Sequence, residues 1–261
     1  MTKITGTKEW AVENVNCMAG CSHGCLYCYA KSMARRFKRA KSDADWAKPR
    51  VKPKQVNRKQ QAVGGTVMFP TTHDIVPEFI EPCVTVLSNL LKAGNRVLVV
   101  SKPHLICIKR LCKDFTSYKN RILFRFTIGA YENKLLQFWE PGAPKFEERL
   151  ASLKHAHSNG FMTSVSIEPM LDTPNVVSLF HKLAPFVTDS IWLGKLNRAR
   201  TCIWERPPEV EAAIQRIEAN QTDDKIRAIY QVLKDEPLVR WKESVKKVIG
   251  LKLADEAGMD V

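Results

Sequence analysis

Long apolar runs are absent from this 261-residue chain: no stretch approaches the roughly 20 residues that a membrane-spanning helix needs. The opening residues, MTKITGTKEW, also lack the apolar core of a secretory signal. A reducing cytoplasm is therefore the expected compartment. There the eight cysteines are better explained by metal or redox chemistry than by a disulfide framework. Internal repeats and low-complexity segments are missing too, which excludes a repeat array.

Acid is in short supply. Asp and Glu number 27 against 41 Lys and Arg, for a formal net charge of +14. The excess is local. Residues 31–59 hold twelve cations (Lys31, Arg35, Arg36, Lys38, Arg39, Lys41, Lys48, Arg50, Lys52, Lys54, Arg58 and Lys59) against Asp43 and Asp45, so 12 − 2 = 10 of the +14 arise here. Such a density attracts phosphate backbones, and Arg35, Arg36, Lys38, Arg39, Lys52 and Lys54 are the candidate nucleic-acid contacts. A solvated helix face is the plain alternative. Trp46, inside the segment, could stack on a base or simply pack.

What is present is an alternation of strand-like and helix-like segments. Strands are expected at Trp10–Val15, Thr66–Phe69, Arg96–Val100, Ile122–Ile128, Met162–Ile167 and Ser190–Leu193. Helices are expected at about 29–40, from Pro82 to Gly94, at about 104–115, over Pro144–His157 and after Thr173-Pro174. From Pro208 onward the pattern is helical with no clear strand. This order predicts an α/β fold with a parallel sheet and right-handed crossovers. Six strand–helix units are too few for a closed eight-stranded barrel. An open, partial barrel is expected over 1–200, with a helical C-terminal extension over 201–261 packed on it. Reactive loops in such folds follow the C-terminal strand ends, here near Asn16, Pro70, Ser101, Gly129, Glu168 and Gly194.

One of these loops carries Cys21, Cys25 and Cys28 in a Cys-x3-Cys-x2-Cys spacing. Three thiolates so placed can bind three irons of a 4Fe–4S cubane and leave the fourth iron open to chelate S-adenosylmethionine. Gly24 lets the backbone wrap closely around the inorganic core. A zinc site with Cys17 as fourth ligand would need a second half-site, and none exists; a four-cysteine electron-transfer cluster is the other alternative. Cys83, Cys107, Cys112 and Cys202 have no close thiol partner in sequence and read as buried small hydrophobes.

The segment Cys-Ser-His-Gly-Cys-Leu-Tyr-Cys-Tyr-Ala (21–30) resembles the radical S-adenosylmethionine (radical SAM) superfamily, and the longer match is to its spore photoproduct lyase-like branch. The similarity runs from about Trp10 to about Asn197 and includes Thr-Thr-His-Asp-Ile-Val (71–76), Ser101-Lys102 and Trp-Glu-Pro-Gly-Ala-Pro-Lys-Phe-Glu-Glu-Arg-Leu (139–150). By that resemblance Thr71, Thr72 and Asp74 face the methionyl end of S-adenosylmethionine. Tyr27 and Lys102 join the same cofactor set, and Thr127, Ser166 and Glu168 meet the ribose or carboxylate. The superfamily's Gly-Gly-Glu-Pro is missing, with Thr71–Asp74 in its place. In the true lyases a cysteine that returns a hydrogen atom precedes a Thr-Ser-Asp-Ile-Val run. Here Thr71 takes that position, and its O–H bond is too strong for the task. Simple dimer repair is therefore not expected; Cys83 is the one substitute thiol considered.

The expected function is generation of a 5′-deoxyadenosyl radical and hydrogen abstraction from a modified thymine in DNA. The base would be flipped or unstacked to expose the reacting carbon. Returning the hydrogen from 5′-deoxyadenosine would make the cycle an isomerisation, as for an amino-acid-substituted thymidine in phage DNA hypermodification, in the host cytoplasm. A flavodoxin- or ferredoxin-type reductant would be the partner. The rivals are a radical enzyme on a peptide or small metabolite, and a non-enzymatic iron–sulfur or zinc nucleic-acid-binding protein. Lys195 and Asn197 end the sixth strand at the reactive rim, and Glu236–Lys247 belongs to a tail whose role the pattern leaves open.

Overall fold

The computed structural model describes residues 4–260. Among them, strands β1 (Glu13–Asn14), β2 (Met18–Ala19), β3 (Arg50–Val51), β4 (Thr66–Phe69), β5 (Arg96–Ser101), β6 (Ile122–Thr127), β7 (Met162–Ile167), β8 (Ile191–Leu193) and β9 (Val239–Trp241) follow in chain order. Seven form one sheet in the order β1-β4-β5-β6-β7-β8-β9, every neighbouring pair parallel. β2 and β3 pair antiparallel and tie the cysteine loop to the basic segment. The helices are α1 (Tyr29–Arg36), α2 (Asp43–Trp46), α3 (Pro53–Val56), α4 (Ile80–Lys92), α5 (Leu105–Asp114), α6 (Asn133–Trp139), α7 (Phe146–Ser158), α8 (Val176–Leu183), α9 (Ala199–Cys202), α10 (Pro208–Asn220), α11 (Asp223–Leu233) and α12 (Glu243–Ile249). Among the described residues no helix is long and apolar enough to cross a membrane.

Strand alternation divides the molecule into two interiors. Val97 and Val99, Phe124 and Phe126, Val165 and Ile167, and Ile191 and Leu193 point to the face covered by helices and join the main core. Helix α4 shows why a helix docks there: Cys83, Val86, Leu87, Leu90 and Leu91 recur at helical spacing and are all buried. Met68, Leu98 and Trp192 point to the opposite face, where they meet Trp10 and Ala11 in a second, smaller cluster. Arg125 lies on that face too, with no exposed surface. Its Nε donates to Ser164 Oγ at 2.9 Å, and its guanidinium sits 4.6 Å from the Trp10 ring and 5.2 Å from that of Trp192. Burial pushes its pKa down to about 9.

That inner face is concave because the two edges of the sheet are drawn together. Lys242, immediately after β9, lies 2.9 Å from Glu9, which precedes β1; both side chains are 1% exposed. Lys242 Nζ also donates to Gly6 O at 3.1 Å and sits 3.9 Å from the Trp10 ring. The sheet is an open barrel whose gap is bridged by an ion pair in place of a further strand.

Three sequence expectations change. The first strand is only Glu13–Asn14, because a 3-10 turn over Gly6–Glu9 precedes it and Trp10 turns inward onto Trp192. The basic helix stops at Arg36; Phe37 caps it and Lys38 takes φ +54°. The tail is not purely helical, since β9 adds a seventh strand beside β8. Val239 and Trp241 do alternate inward around exposed Arg240, but three residues are too short for a period-two pattern to stand out.

Lys242→Met strips the partner from buried Glu9 and should cost about 3–5 kcal/mol in urea unfolding of the apoprotein. Adding Glu9→Gln should recover a good part of it. A Lys242→Met protein as stable as the parent contradicts the edge-bridging role.

Candidate functional site

Cys21, Cys25 and Cys28 line one cavity of about 500 Å³ at the C-terminal ends of the strands, within the size range of small-molecule sites. Local hydrogen bonds set each one. Cys21 N donates to Trp46 O at 3.0 Å, and Cys28 caps helix α1, its Sγ accepting from Lys31 N at 3.4 Å. Gly24 between them has φ +62°. Burial, followed by the nearby Asp74 charge, pushes the Cys21 thiol up to about 12. Burial raises Cys25 and Cys28 as well. Three thiols with pKa values raised by burial, Cys21 and Cys25 buried and Cys28 partly so, become thiolates only against a strong positive charge, which is what iron ions would supply.

Cys17 is not with them. It lies under the loop, 3.8 Å from Cys83 and 3.7 Å from His73 Nε2, sulfur and nitrogen both buried. Cys83 does not line the cavity. The only trio among the described residues whose ligand atoms lie within 4.8 Å of one another is Cys21, His23 and Asp74. It is already satisfied as a hydrogen-bond network. His23 Nδ1 is 2.9 Å from Asp74 Oδ2 and its Nε2 is 3.0 Å from His104 Nε2. Asp74 Oδ1 accepts from Ser101 Oγ at 2.9 Å and Lys102 N at 2.6 Å. Burial alone would raise the Asp74 carboxyl, but Lys102 and His23 hold it well below the usual carboxylate range. Burial opposes the Lys102 charge, yet Asp74 outweighs it and keeps the ammonium formed.

The Trp139–Leu150 segment turns out to be the cradle of the cysteine loop. Leu26 N donates to Trp139 O at 2.9 Å and Gly142 N to His23 O at 2.9 Å. A Cβ at position 142 would come 2.4 Å from Ser22 O, so only glycine allows the two backbones to approach this closely. Tyr27 donates its hydroxyl to Glu140. Glu140 in turn faces Arg149 at 2.5 Å, both side chains fully buried. Arg149 continues the chain, donating to Pro144 O at 2.7 Å and to Thr127 O at 3.2 Å.

The remaining expected cofactor residues share the same cavity: Tyr27, Thr71, Thr72, Asp74, Lys102, Thr127, Ser166 and Glu168 all line it. Asn16 shapes the Thr71 turn. Its Oδ1 accepts from the amides of Thr71 and Thr72 at 2.8 Å each, while its Nδ2 donates to Thr71 Oγ1 at 2.6 Å. Tyr29 adds a hydroxyl donated to Thr71 O at 2.7 Å. Burial raises Glu168, and Lys242 at 3.6 Å opposes the shift. Lys195 and Asn197 lie on the rim.

The six expected phosphate contacts divide. Arg35 is committed to structure, bonding Asp43 at 2.8 Å and Glu205 at 3.0 Å and covering Trp204. Arg36, Lys38, Arg39, Lys52 and Lys54 are exposed. Trp46 is buried, packed against Ala30, Ala34 and Ala40, so it serves packing. Sequence reasoning missed Asn16, His23, Glu140, Arg149 and Lys242. Cys202 is buried, as its reading as a small hydrophobe expected, but it also borders the cavity, which that reading did not foresee. The signals available were the His between the first two cysteines and the charged pair inside the distinctive 139–150 motif.

The family described as the radical SAM superfamily matches residues 15–175. The chain belongs to that superfamily. Its members use a 4Fe–4S cluster and S-adenosylmethionine, and the donor set fits: three cavity-facing thiols on one loop, with no fourth beside them in that loop. Two uncharacterized proteins are relatives in sequence. One, from Acidianus two-tailed virus, is 27% identical over 182 residues, covering 64% of this chain and 58% of its own. The other, from Methanocaldococcus jannaschii, is 24% identical over 189 residues, covering 71% and 69%. The chain thus spans little more than half the length of the viral relative. Among solved structures, a spore photoproduct lyase variant with AdoMet and dinucleoside spore photoproduct has a TM-score of 0.56 at 14% identity, over 87% of this chain and 75% of that one. A second lyase variant reaches 0.61 at 16%, over 92% and 78%. Streptococcus suis SuiB bound to S-adenosylmethionine gives 0.54 at 12%, over 94% and 54%. At these identities the likeness is one of fold.

If the 139–150 cradle sets the radical SAM cluster loop, Gly142→Ala should load visibly less iron on anaerobic reconstitution, and overpacking should cost about 1–3 kcal/mol. Gly64→Ala, where a Cβ meets nothing within 4 Å, serves as the neutral control. Equal iron content in both variants would remove the cradle from the argument.

Proposed function

We propose that this radical SAM enzyme acts on a base of DNA, a modified thymine presented outside the stack, and that the net reaction is an isomerisation. The observation that carries the reading is the set of exposed cations at the outer end of α1 and just past it, on the helix that leaves the cysteine loop. Arg36, Lys38 and Arg39 have no carboxylate partner among the described residues. Exposed, unpaired cations raise the local concentration of a polyanion and steer its approach. The lyase neighbour with a dinucleoside in its site is consistent with such a ligand class. The proposed setting is phage DNA hypermodification, in which the enzyme moves an amino-acid substituent on a thymine methylene.

Cys21, Cys25 and Cys28 would hold the 4Fe–4S cluster, which would supply the electron for reductive cleavage of S-adenosylmethionine and so the radical chemistry that abstracts hydrogen from the substrate. The chain's own residues position the partners and keep water out. The Asp74–Lys102 pair presents fixed, opposite charges toward an amino acid's ammonium and carboxylate. Thr127, Ser166 and Glu168 offer hydroxyls and a carboxylate to ribose. Thr71 Oγ1 is engaged by Asn16, and its O–H bond is too strong to quench a carbon radical. A flavodoxin- or ferredoxin-type protein is the proposed electron source.

Two second readings rest on specific observations. Cys202 borders the cavity, and a thiol there could return the hydrogen atom in place of 5′-deoxyadenosine. A SuiB structure with a precursor peptide speaks for a peptide substrate.

Anaerobically reconstituted enzyme should cleave S-adenosylmethionine reductively, and Cys25→Ala should abolish cleavage. With 5′-deuterated cofactor and modified-thymidine DNA, deuterium should enter the product, 5′-deoxyadenosine should not accumulate, and Cys202→Ala should change neither outcome. Stoichiometric 5′-deoxyadenosine with unlabelled product would refute the isomerisation, and loss of turnover in Cys202→Ala alone would assign the thiol.

A further inference from the structure

Helix α1 starts at the cavity and runs outward, and its outer face is unusual in composition. Tyr29, Met33 and Phe37 recur every four residues and are 48%, 45% and 55% exposed. Side chains at that spacing line one face of a helix. Trp204, 49% exposed, seats on the flank of the same helix through Nε1 donated to Ser32 Oγ at 3.0 Å. Tyr29, Phe37 and Trp204 are the three exposed aromatics among the described residues, and all three gather here. Tyr29 is also a wall of the cavity, its ring fixed by the hydrogen bond to Thr71 O.

We propose that this face of α1 is a stacking track for an unpaired nucleic-acid strand, which leads the reacting base from Phe37 past Met33 and Tyr29 into the cavity. The proposal rests on the nucleic-acid reading above and adds where the neighbouring nucleotides lie and in what state. Charge complementarity selects the occupant. The cations on and just past the stripe, Arg36, Lys38 and Arg39, are exposed and lack carboxylate partners among the described residues. Arg39 lies 5.5 Å from the Phe37 ring, so stacking and phosphate contact are offered side by side. A strand with a π-face and a negative charge at every residue uses both features at once. A duplex presents base edges and phosphates, and leaves the aromatic faces unused. Eight residues of helix rise about 12 Å, the length of roughly three to four stacked nucleotides.

The test uses the reconstituted full-length enzyme with a fluorescein-labelled twelve-nucleotide oligothymidylate, its duplex, and anisotropy titrations at about 50–200 mM salt. The parent should bind the single strand tighter than the duplex. Phe37→Ala and Met33→Ala should each weaken single-strand binding, Phe37→Ala by about tenfold, with the salt slope unchanged. Phe37→Trp should retain affinity. Replacing Arg36, Lys38 and Arg39 by Gln together should instead flatten the salt slope by about 2. Iron content and the visible absorbance of the reconstituted cluster should be the same in every variant, which reports that fold and cluster are intact. Parent binding that Phe37→Ala and Met33→Ala leave unchanged overturns the track while the nucleic-acid reading stands. Absence of any binding by the parent overturns both. A change in self-association without a change in DNA binding identifies the stripe as a protein interface and also rejects the track.

Discussion

Glu140 and Arg149 meet at 2.5 Å with no exposed surface on either side chain. Two charges withdrawn from water are tolerated only when their remaining valences are also engaged. Here those valences reach three places at once: Tyr27 in the cysteine loop, Pro144 ahead of α7, and Thr127 at the end of β6. The pair therefore ties the cysteine loop to the strand end that lines the same cavity. Displacing either partner leaves an uncompensated buried charge and frees the cluster loop from its support.

The opposite side of the cavity follows a second buried pair. Glu9 and Lys242 draw the first and last strands of an open sheet toward each other, and Lys242 reaches Glu168 from the same position. Closure by an ion pair leaves the upper part of the gap open, so the cavity has a mouth along α1 and the 195–202 segment. The same curl buries Arg125 between two tryptophans and gives the cavity a rigid base.

Around the mouth, charge is partitioned by function. Lys31 and Arg35 are used internally on Asp43, which anchors α1 against α2. Arg36, Lys38 and Arg39 remain available to solvent. A net charge concentrated next to a radical-generating loop has a physical sense when the substrate is a polyanion. For such a substrate the charge would attract the ligand at long range, while the proposed stacking stripe would distinguish a base from mere phosphate.

That Cys21, Cys25 and Cys28 share one cavity was legible because all three lie within eight residues, so short spacing keeps them on one loop. That Thr71, Asp74, Lys102, Thr127, Ser166 and Glu168 line the same cavity was legible for a different reason: a parallel α/β order places every strand's C-terminal end on one rim, so topology substitutes for contact information. The seventh strand was not legible, since Val239–Trp241 is too short to show a period and its pairing with β8 is wholly non-local. Nor could the sequence separate Arg35 from Arg36, although they are adjacent; which one meets Glu205 depends on a loop about 170 residues away. The same holds for Cys202 at the cavity wall and for Glu140 behind Tyr27. Sequence by itself determined the chemistry that short spacings encode; tertiary structure decided which charges are buried, paired or free, because burial is a property of distant segments brought together.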